Sequence, residues 1–278
     1  MIEVRGLGKV FQAETREVWA VGEVSFSVAK GEFVSSVGPS GCGKSTILNI
    51  VASFLPPTAG EVCVNGDLVR EGTIPKGLGY IFQKDTVLPW YSVRKNISLG
   101  PWYRGASSDT IDRKVSSLLS MVGLQGCEEM YPHHLSGGMR QRVALLMTLA
   151  CDPTILLLDE PFGALDTHTK ILLHKQLLEI WERLGQTIIL VTHDLAEAIT
   201  LSERVLVLSA PPSRLILDYR VDIPHPRDVF SIRESPVFTE HFQRVWHVLG
   251  EEFRHTDIAV SAGEGSRPHG ESRSDDPG

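Results

Sequence analysis

Gly38-Pro39-Ser40-Gly41-Cys42-Gly43-Lys44-Ser45-Thr46 has the spacing G-x-x-x-x-G-K-[ST]. Glycines placed this way let successive backbone N–H groups turn into one concavity and approach phosphate oxygens closely. What precedes and follows the stretch decides whether that reading holds. Upstream, Lys30-Gly31 turns the chain into a buried strand from Glu32 to Val37. Downstream, an apolar-periodic helix runs from about Lys44 to Ser53 and is stopped by Pro56-Pro57. A chance lysine in a glycine-rich turn lacks that strand–loop–helix setting. The helix N-terminus adds the positive end of its dipole. Lys44 is placed to reach β- and γ-phosphates, and the Ser45 hydroxyl to ligate Mg²⁺.

The second decisive stretch is Thr154-Ile155-Leu156-Leu157-Leu158-Asp159-Glu160. A wholly apolar run suits a parallel strand covered on both faces, and its carboxyl end is where open α/β sheets hold ligands. Two acids ending a strand are commonplace alone. Beside a phosphate loop, Asp159 becomes a candidate Mg²⁺ ligand and Glu160 a candidate base for the attacking water. Two close like charges raise one pKa, which suits a proton acceptor. Cys42, near Lys44 and a helix N-terminus, is expected to carry a lowered thiol pKa.

From these anchors an alternating pattern extends. Glu23 to Val28 alternates as a half-buried strand, and Asn65-Gly66 marks a hairpin between Glu61–Val64 and Asp67–Val69. Between about 84 and 150 helix signals stand at Ser92, Asp109 and Ser136, with Asp109 expected to cap a helix to Met121. Beyond Thr154, strands at 155–158, 187–191 and 205–208 alternate with helices at about 168–184 and 194–201, an α/β pattern. A further helix is expected from about Ser235 to Phe253. Residues 261–278 hold ten Gly, Ser or Pro and no aromatic, so that tail is expected to be disordered.

Composition narrows the classes. With 278 residues, 27 Lys plus Arg against 34 Asp plus Glu, and a formal net charge of -7, a general electrostatic grip on nucleic acid is disfavoured. A mean hydropathy of -0.01 fits an ordinary globular chain. No run approaches the ~18 apolar residues of a membrane span, and the N-terminus shows no signal-peptide pattern. Cys42, Cys63, Cys127 and Cys151 lie too far apart for a zinc or disulfide pattern, which points to a reduced, cytosolic setting.

The ordered set of motifs resembles the ATP-binding cassette ATPases of membrane transporters. Leu135-Ser136-Gly137-Gly138-Met139 matches their LSGGQ-type signature, with Met139 in place of the usual Gln. Ser136 can cap a helix while the two glycines expose N–H groups to an anion. In the family this helix end meets the γ-phosphate held by a second cassette. By the same resemblance, Gln83 is the Q-loop glutamine that senses Mg²⁺ and the γ-phosphate. Asp166 is the D-loop aspartate, and His193, 33 residues after Glu160, is the switch histidine. Phe11 takes the position of the aromatic that stacks on adenine, although Trp19 lies nearby.

The resemblance covers roughly residues 1–220. It implies a P-loop NTPase (RecA-like) core with an N-terminal antiparallel β part and a helical subdomain inserted at about 84–150. Residues 221–260 are expected to form a short helical extension. Leu88-Pro89-Trp90-Tyr91-Ser92-Val93 is similar to a segment of importers for nitrate, sulfonates, taurine and thiamine precursors, as is the ending around Ile223–Asp228 and Ser235–Phe238. That implies an ATP- and Mg²⁺-dependent translocase subunit on the cytoplasmic face of the membrane. Its partners would be a second cassette, permease subunits whose helix docks near Trp90, and indirectly a solute-binding protein. An exporter's ATPase is the first alternative. A nucleic-acid-associated relative is the weaker one, since no duplicated cassette, coiled-coil insertion or zinc cysteines appear.

Overall fold

In the computed structural model, which describes residues 1–13, 16–84 and 86–264, the strand feeding the phosphate loop is β3 (Phe33–Val37). It is buried at every position, as are β7 (Ile155–Asp159) and β8 (Thr187–Val191). Strands covered on both faces need no polar alternation, which is why these segments are apolar or small up to Asp159 at the end of β7. β3 lies between β8 and β9 (Arg204–Leu208), with β7 and β6 (Leu78–Ile81) beyond β8, all parallel. Their shared direction brings the phosphate loop, Asp159 and the end of β8 to one edge.

The sheet continues past β9 as one ten-stranded surface. β10 (Ser213–Arg220) is antiparallel to β9 and parallel to β2 (Arg16–Val28), so it joins the parallel core to an antiparallel part. That part comprises β1 (Ile2–Ala13), β2, β4 (Ala59–Val64) and β5 (Asp67–Leu68). Asn65 and Gly66 turn the β4–β5 hairpin with φ of 53° and 88°, the double positive φ that a tight two-residue hairpin demands.

Helices cover both faces. α1 (Lys44–Val51) packs Ile47, Leu48, Ile50 and Val51 into a core shared with β1, β2, β4 and one face of the parallel strands. On the other side α2 (Val93–Tyr103), α3 (Ser108–Met121), α4 (Gly137–Leu149) and α5 (Thr167–Leu184) share a core with the opposite face. α6 (Leu195–Leu201) and α7 (Pro236–Glu264) pack together beside β9 and β10.

Local signals set most helix starts. Ser92, Ser136 and Asp166 each accept a backbone N–H from the residue three positions on. Asp109 does not cap α3. Ser107 takes that position in extended backbone and Asp109 falls in the first turn, where its charge meets the helix dipole. Two further expectations are corrected. The strand expected at Glu23 starts at Arg16, because the long β1–β2 pairing carries it outward. The helix expected to end near Phe253 continues to Glu264, so residues 261–264 belong to α7. The rest of the expected tail lies outside the described residues.

Candidate functional site

The phosphate loop is built around three glycines with different constraints. Gly41 and Gly43 have φ of 73° and 97°, backbone that L side chains rarely adopt. Gly38 is constrained by space, since a Cβ there would stand 2.7 Å from the Leu208 carbonyl oxygen. Lys44 is buried, and its ammonium donates to the carbonyls of Gly38 and Pro39 at 2.9 Å each. The cation is thus held inside the loop by the loop's own oxygens.

Across from it, the Ser45 hydroxyl donates to Asp159 Oδ1 at 2.7 Å, and the Tyr80 hydroxyl lies 3.2 Å from Oδ2. Burial raises the Asp159 pKa, while hydrogen bonds from Ser45 and Tyr80 act the other way. The carboxyl that the two-acid argument predicts to be raised is therefore Asp159's, and desolvation is the main cause rather than the neighbouring Glu160 charge. A buried carboxylate beside a hydroxyl is a donor set of hard oxygens, which suits Mg²⁺.

Glu160 follows at a φ of 47°, rare for a residue with a side chain. Its amide bonds the Val191 carbonyl at 2.9 Å, which fixes the turn against β8. Glu160 Oε2 accepts from Gln83 Nε2 at 2.9 Å and lies 3.4 Å from His193 Nδ1. Three residues from three separate segments thus meet at one carboxylate oxygen.

A cavity of about 550 Å³ lies over the loop, lined by Gly38, Ser40 to Thr46, Glu160, His193 and Phe253. Phe253, on α7, was not legible as a site residue, and neither was Tyr80 on β6. Tyr80 also reaches Asn49 Oδ1 of α1 at 2.9 Å, so it ties α1 to Asp159. Both contacts join residues far apart in sequence.

Cys42 corrects an expectation. Its side chain is fully buried, and burial pushes the thiol pKa up despite the Lys44 ammonium 3.7 Å away. A half-exposed thiol would have shown the opposite sign.

The remaining predicted residues fall elsewhere. Ser136 caps α4, accepting from the Met139 amide at 3.3 Å. Ser136 and Gly137 are exposed, whereas Leu135 and Gly138 are buried. None of Leu135 to Met139 lines the cavity over this chain's own phosphate loop. Asp166 caps α5 through the Thr169 amide at 3.0 Å, and hydrogen bonds from Thr169 lower its pKa. Phe11 stands exposed on β1 with Lys9 Nζ 5.3 Å from its ring centre, outside that lining. Phe11 pairs with Val18 and Val10 with Trp19, so the two aromatics sit on opposite faces of the hairpin.

No helix among the described residues is long and apolar enough to cross a membrane. Comparison with known proteins identifies the family. Residues 21–163 match the family model described as ABC transporter. The taurine import ATP-binding protein of Roseobacter denitrificans is 40% identical over 235 residues, 84% of this chain and 87% of that protein. The nitrate import ATP-binding protein of Synechocystis is 37% identical over 266 residues, 94% of this chain and 99% of that one. A dimeric ATP-binding cassette solved in a post-hydrolysis state with ADP and Pi superposes with a TM-score of 0.71 at 29% identity. That match covers 81% of this chain and 100% of the other. With a phosphate loop cradling a buried lysine, a strand-end acid pair and matches of this length, the chain belongs to the ABC transporter family as one of its ATP-binding cassette ATPases.

Proposed function

We propose that this ATPase energises uptake of a small anionic or zwitterionic solute, of the nitrate, taurine or sulfonate kind, from the cytoplasmic face of the membrane. The observation that carries the catalytic reading is the convergence of Gln83 and His193 on Glu160 Oε2 beside the phosphate-loop cavity. The imported-solute reading is supported by the taurine and nitrate import proteins, which this chain matches over most of its length.

In the proposed cycle the loop amides of residues 40 to 46 and the α1 dipole hold the β- and γ-phosphates. Lys44 exchanges its bonds to Gly38 and Pro39 for phosphate oxygens. Ser45 and Asp159, with Gln83 at the edge, would hold Mg²⁺, which when bound neutralises phosphate charge. Glu160 accepts a proton from the attacking water, oriented by Gln83, while His193 contacts the γ-phosphate. Catalysis then consists mainly of positioning and electrostatic stabilisation.

The exposed Ser136–Gly137 end of α4 is the proposed partner for the γ-phosphate of a second copy, or of a homologous cassette. Two such sites would close head to tail around two nucleotides. Permease subunits would take up the closing motion near Trp90, and a solute-binding protein would deliver the cargo outside. Deleting the gene and measuring uptake of labelled nitrate and taurine tests the transport reading. Loss of one uptake, restored by the wild-type gene and not by Lys44→Ala, is the expected result. Unchanged uptake of both, together with ATPase activity in vitro, would remove the proposed cargo class while leaving the ATPase intact.

A further inference from the structure

Phe253 lines the phosphate-loop cavity, although it lies on α7, over 200 residues from the loop and far beyond the 21–163 stretch of the family match. Its position is held from two sides. Val245 and Leu249 on the same helix are buried in a core shared with α6, β9 and β10. Next to the ring, Glu252 Oε2 accepts the Ala210 amide at 3.1 Å. Ala210 follows β9, whose final residue, Leu208, stands hard against Gly38 of the loop. A continuous path therefore runs from the loop through Leu208 and Ala210 to Glu252 and Phe253.

We propose that α7 is a wall of the nucleotide site and that Phe253 is a nucleotide-positioning residue. This rests on the phosphate-loop cavity being the ATP site. The ring lines the same cavity as the phosphate-loop residues Ser40 to Thr46, Glu160 and His193. An apolar ring there excludes bulk water and lowers the local dielectric, which strengthens the hold of Lys44 and of the helix dipole on phosphate. Glu252 sets the reach of the ring by tying α7 to the turn after β9. The helix carries its own reporter as well. Trp246 is half-exposed, with its ring centre 6.2 Å from that of Phe253.

The test uses the full chain and the β,γ-imido analogue of ATP with Mg²⁺. Phe253 is itself exposed at 36% in the free chain, so nucleotide can cover the ring, and Phe253→Ala should weaken binding about tenfold, the effect of losing that newly covered apolar surface. Phe253→Leu should recover part of that loss. Nucleotide should change tryptophan emission in the wild type, and Trp246→Phe should remove most of that change. A side chain that serves packing alone would lower the melting temperature and leave affinity and emission untouched. Affinity of Phe253→Ala within twofold of wild type overturns the proposal, and so does an emission change undiminished in Trp246→Phe. Lys44→Ala separates the two levels. If it binds as tightly as wild type, the nucleotide site itself is misplaced. If it fails to bind while Phe253→Ala is normal, only the wall is wrong.

Discussion

Ser45, at the first turn of α1, donates its hydroxyl to Asp159 at the end of β7 across 114 residues of sequence, at 2.7 Å. That bond locks the phosphate loop to the strand-end acids. It explains why the loop keeps its shape around Lys44, whose ammonium is turned inward onto two loop carbonyls. Lys44→Ala removes the cation within the cradle and leaves those carbonyls converging without a donor. ATPase activity should fall at least about a hundredfold, the usual scale for losing a preorganised electrostatic partner. Steady-state ATPase assays and nucleotide titration check this, with near-wild-type turnover as the contrary result.

Cys42 should be a slow thiol. It is fully buried and its pKa is pushed up by desolvation, so little thiolate exists near neutral pH. Iodoacetamide at pH 7.5 should label the partly exposed Cys63, Cys127 and Cys151 before Cys42. Nucleotide should change the Cys42 rate little. Peptide mass spectrometry over a time course measures all four. Fast, ATP-protected labelling of Cys42 would restore the activated-thiol picture.

These two residues mark the border of what a sequence can show. The phosphate loop, the Asn65-Gly66 hairpin and the caps at Ser92 and Ser136 were legible because each is a short-range rule of backbone geometry. The acid pair Asp159-Glu160 was legible because an apolar strand announces its own end. At Cys42 charge proximity can be read along the chain, whereas depth of burial depends on a core assembled from several strands and α1. Tyr80 and Phe253 were missed for the same reason, since their contacts join segments with no shared periodicity. β10 carries a sequence signal of its own, since Leu215, Leu217 and Tyr219 alternate with more exposed neighbours. Pro211-Pro212 signals a break that masks the strand after it.

The buried pair His174 and Glu197 predicts a pH dependence of stability. They stand 3.8 Å apart between α5 and α6. Burial lowers the His174 pKa from 6.5 to about 3 and raises that of Glu197 from 4.5 to about 8. The Glu197 contribution is fully present below 4.5 and is lost as pH rises through 8. That of His174 runs the other way, growing as pH rises from 3 to 6.5. Between 4.5 and 6.5 folded and unfolded chains bind equal numbers of protons at this pair, and the two slopes cancel. From 6.5 to 8 only the Glu197 contribution still changes, so stability should fall by about 2 kcal/mol. Urea unfolding at pH 6.5 and 8 measures it. Glu197→Gln should flatten that interval, and an equal slope in the variant would assign the effect to other groups.

Trp90 is 65% exposed and rests against Tyr91, with ring centres 6.3 Å apart. Trp90→Ala should therefore change the stability of the isolated chain by less than about 0.5 kcal/mol, as for a surface substitution. ATP affinity should not change. If the permease helix docks there, co-purification with the permease and transport should both drop. A matching loss of nucleotide binding would show instead that Trp90 supports the fold.

The shared site is tested through Glu160. Its strained backbone and its bonds to Gln83 and His193 hold one oxygen at the edge of the cavity. Glu160→Gln keeps the side chain's size and removes its charge and most of its basicity. Water is then poorly activated, while the Ser45–Asp159 pair and the loop remain in place. Nucleotide should bind, two copies should close, and hydrolysis should no longer reopen them. Turnover should fall by about two to four orders of magnitude, the range for a general base, and a dimer should persist in Mg-ATP. Ser136 is exposed on α4 and absent from the lining of its own chain's cavity. A dimer that uses the α4 end must therefore bring Ser136 to the partner's loop. Ser136→Arg on the Glu160→Gln background should abolish the dimer, because a long side chain would occupy the space meant for phosphate. Light scattering with Mg-ATP, at high protein concentration so that a weak dimer stays visible, compares wild type, single and double variants. A Glu160→Gln chain that stays monomeric counts against trapping. A double variant that still dimerises counts against the α4 end as the completing half of the site.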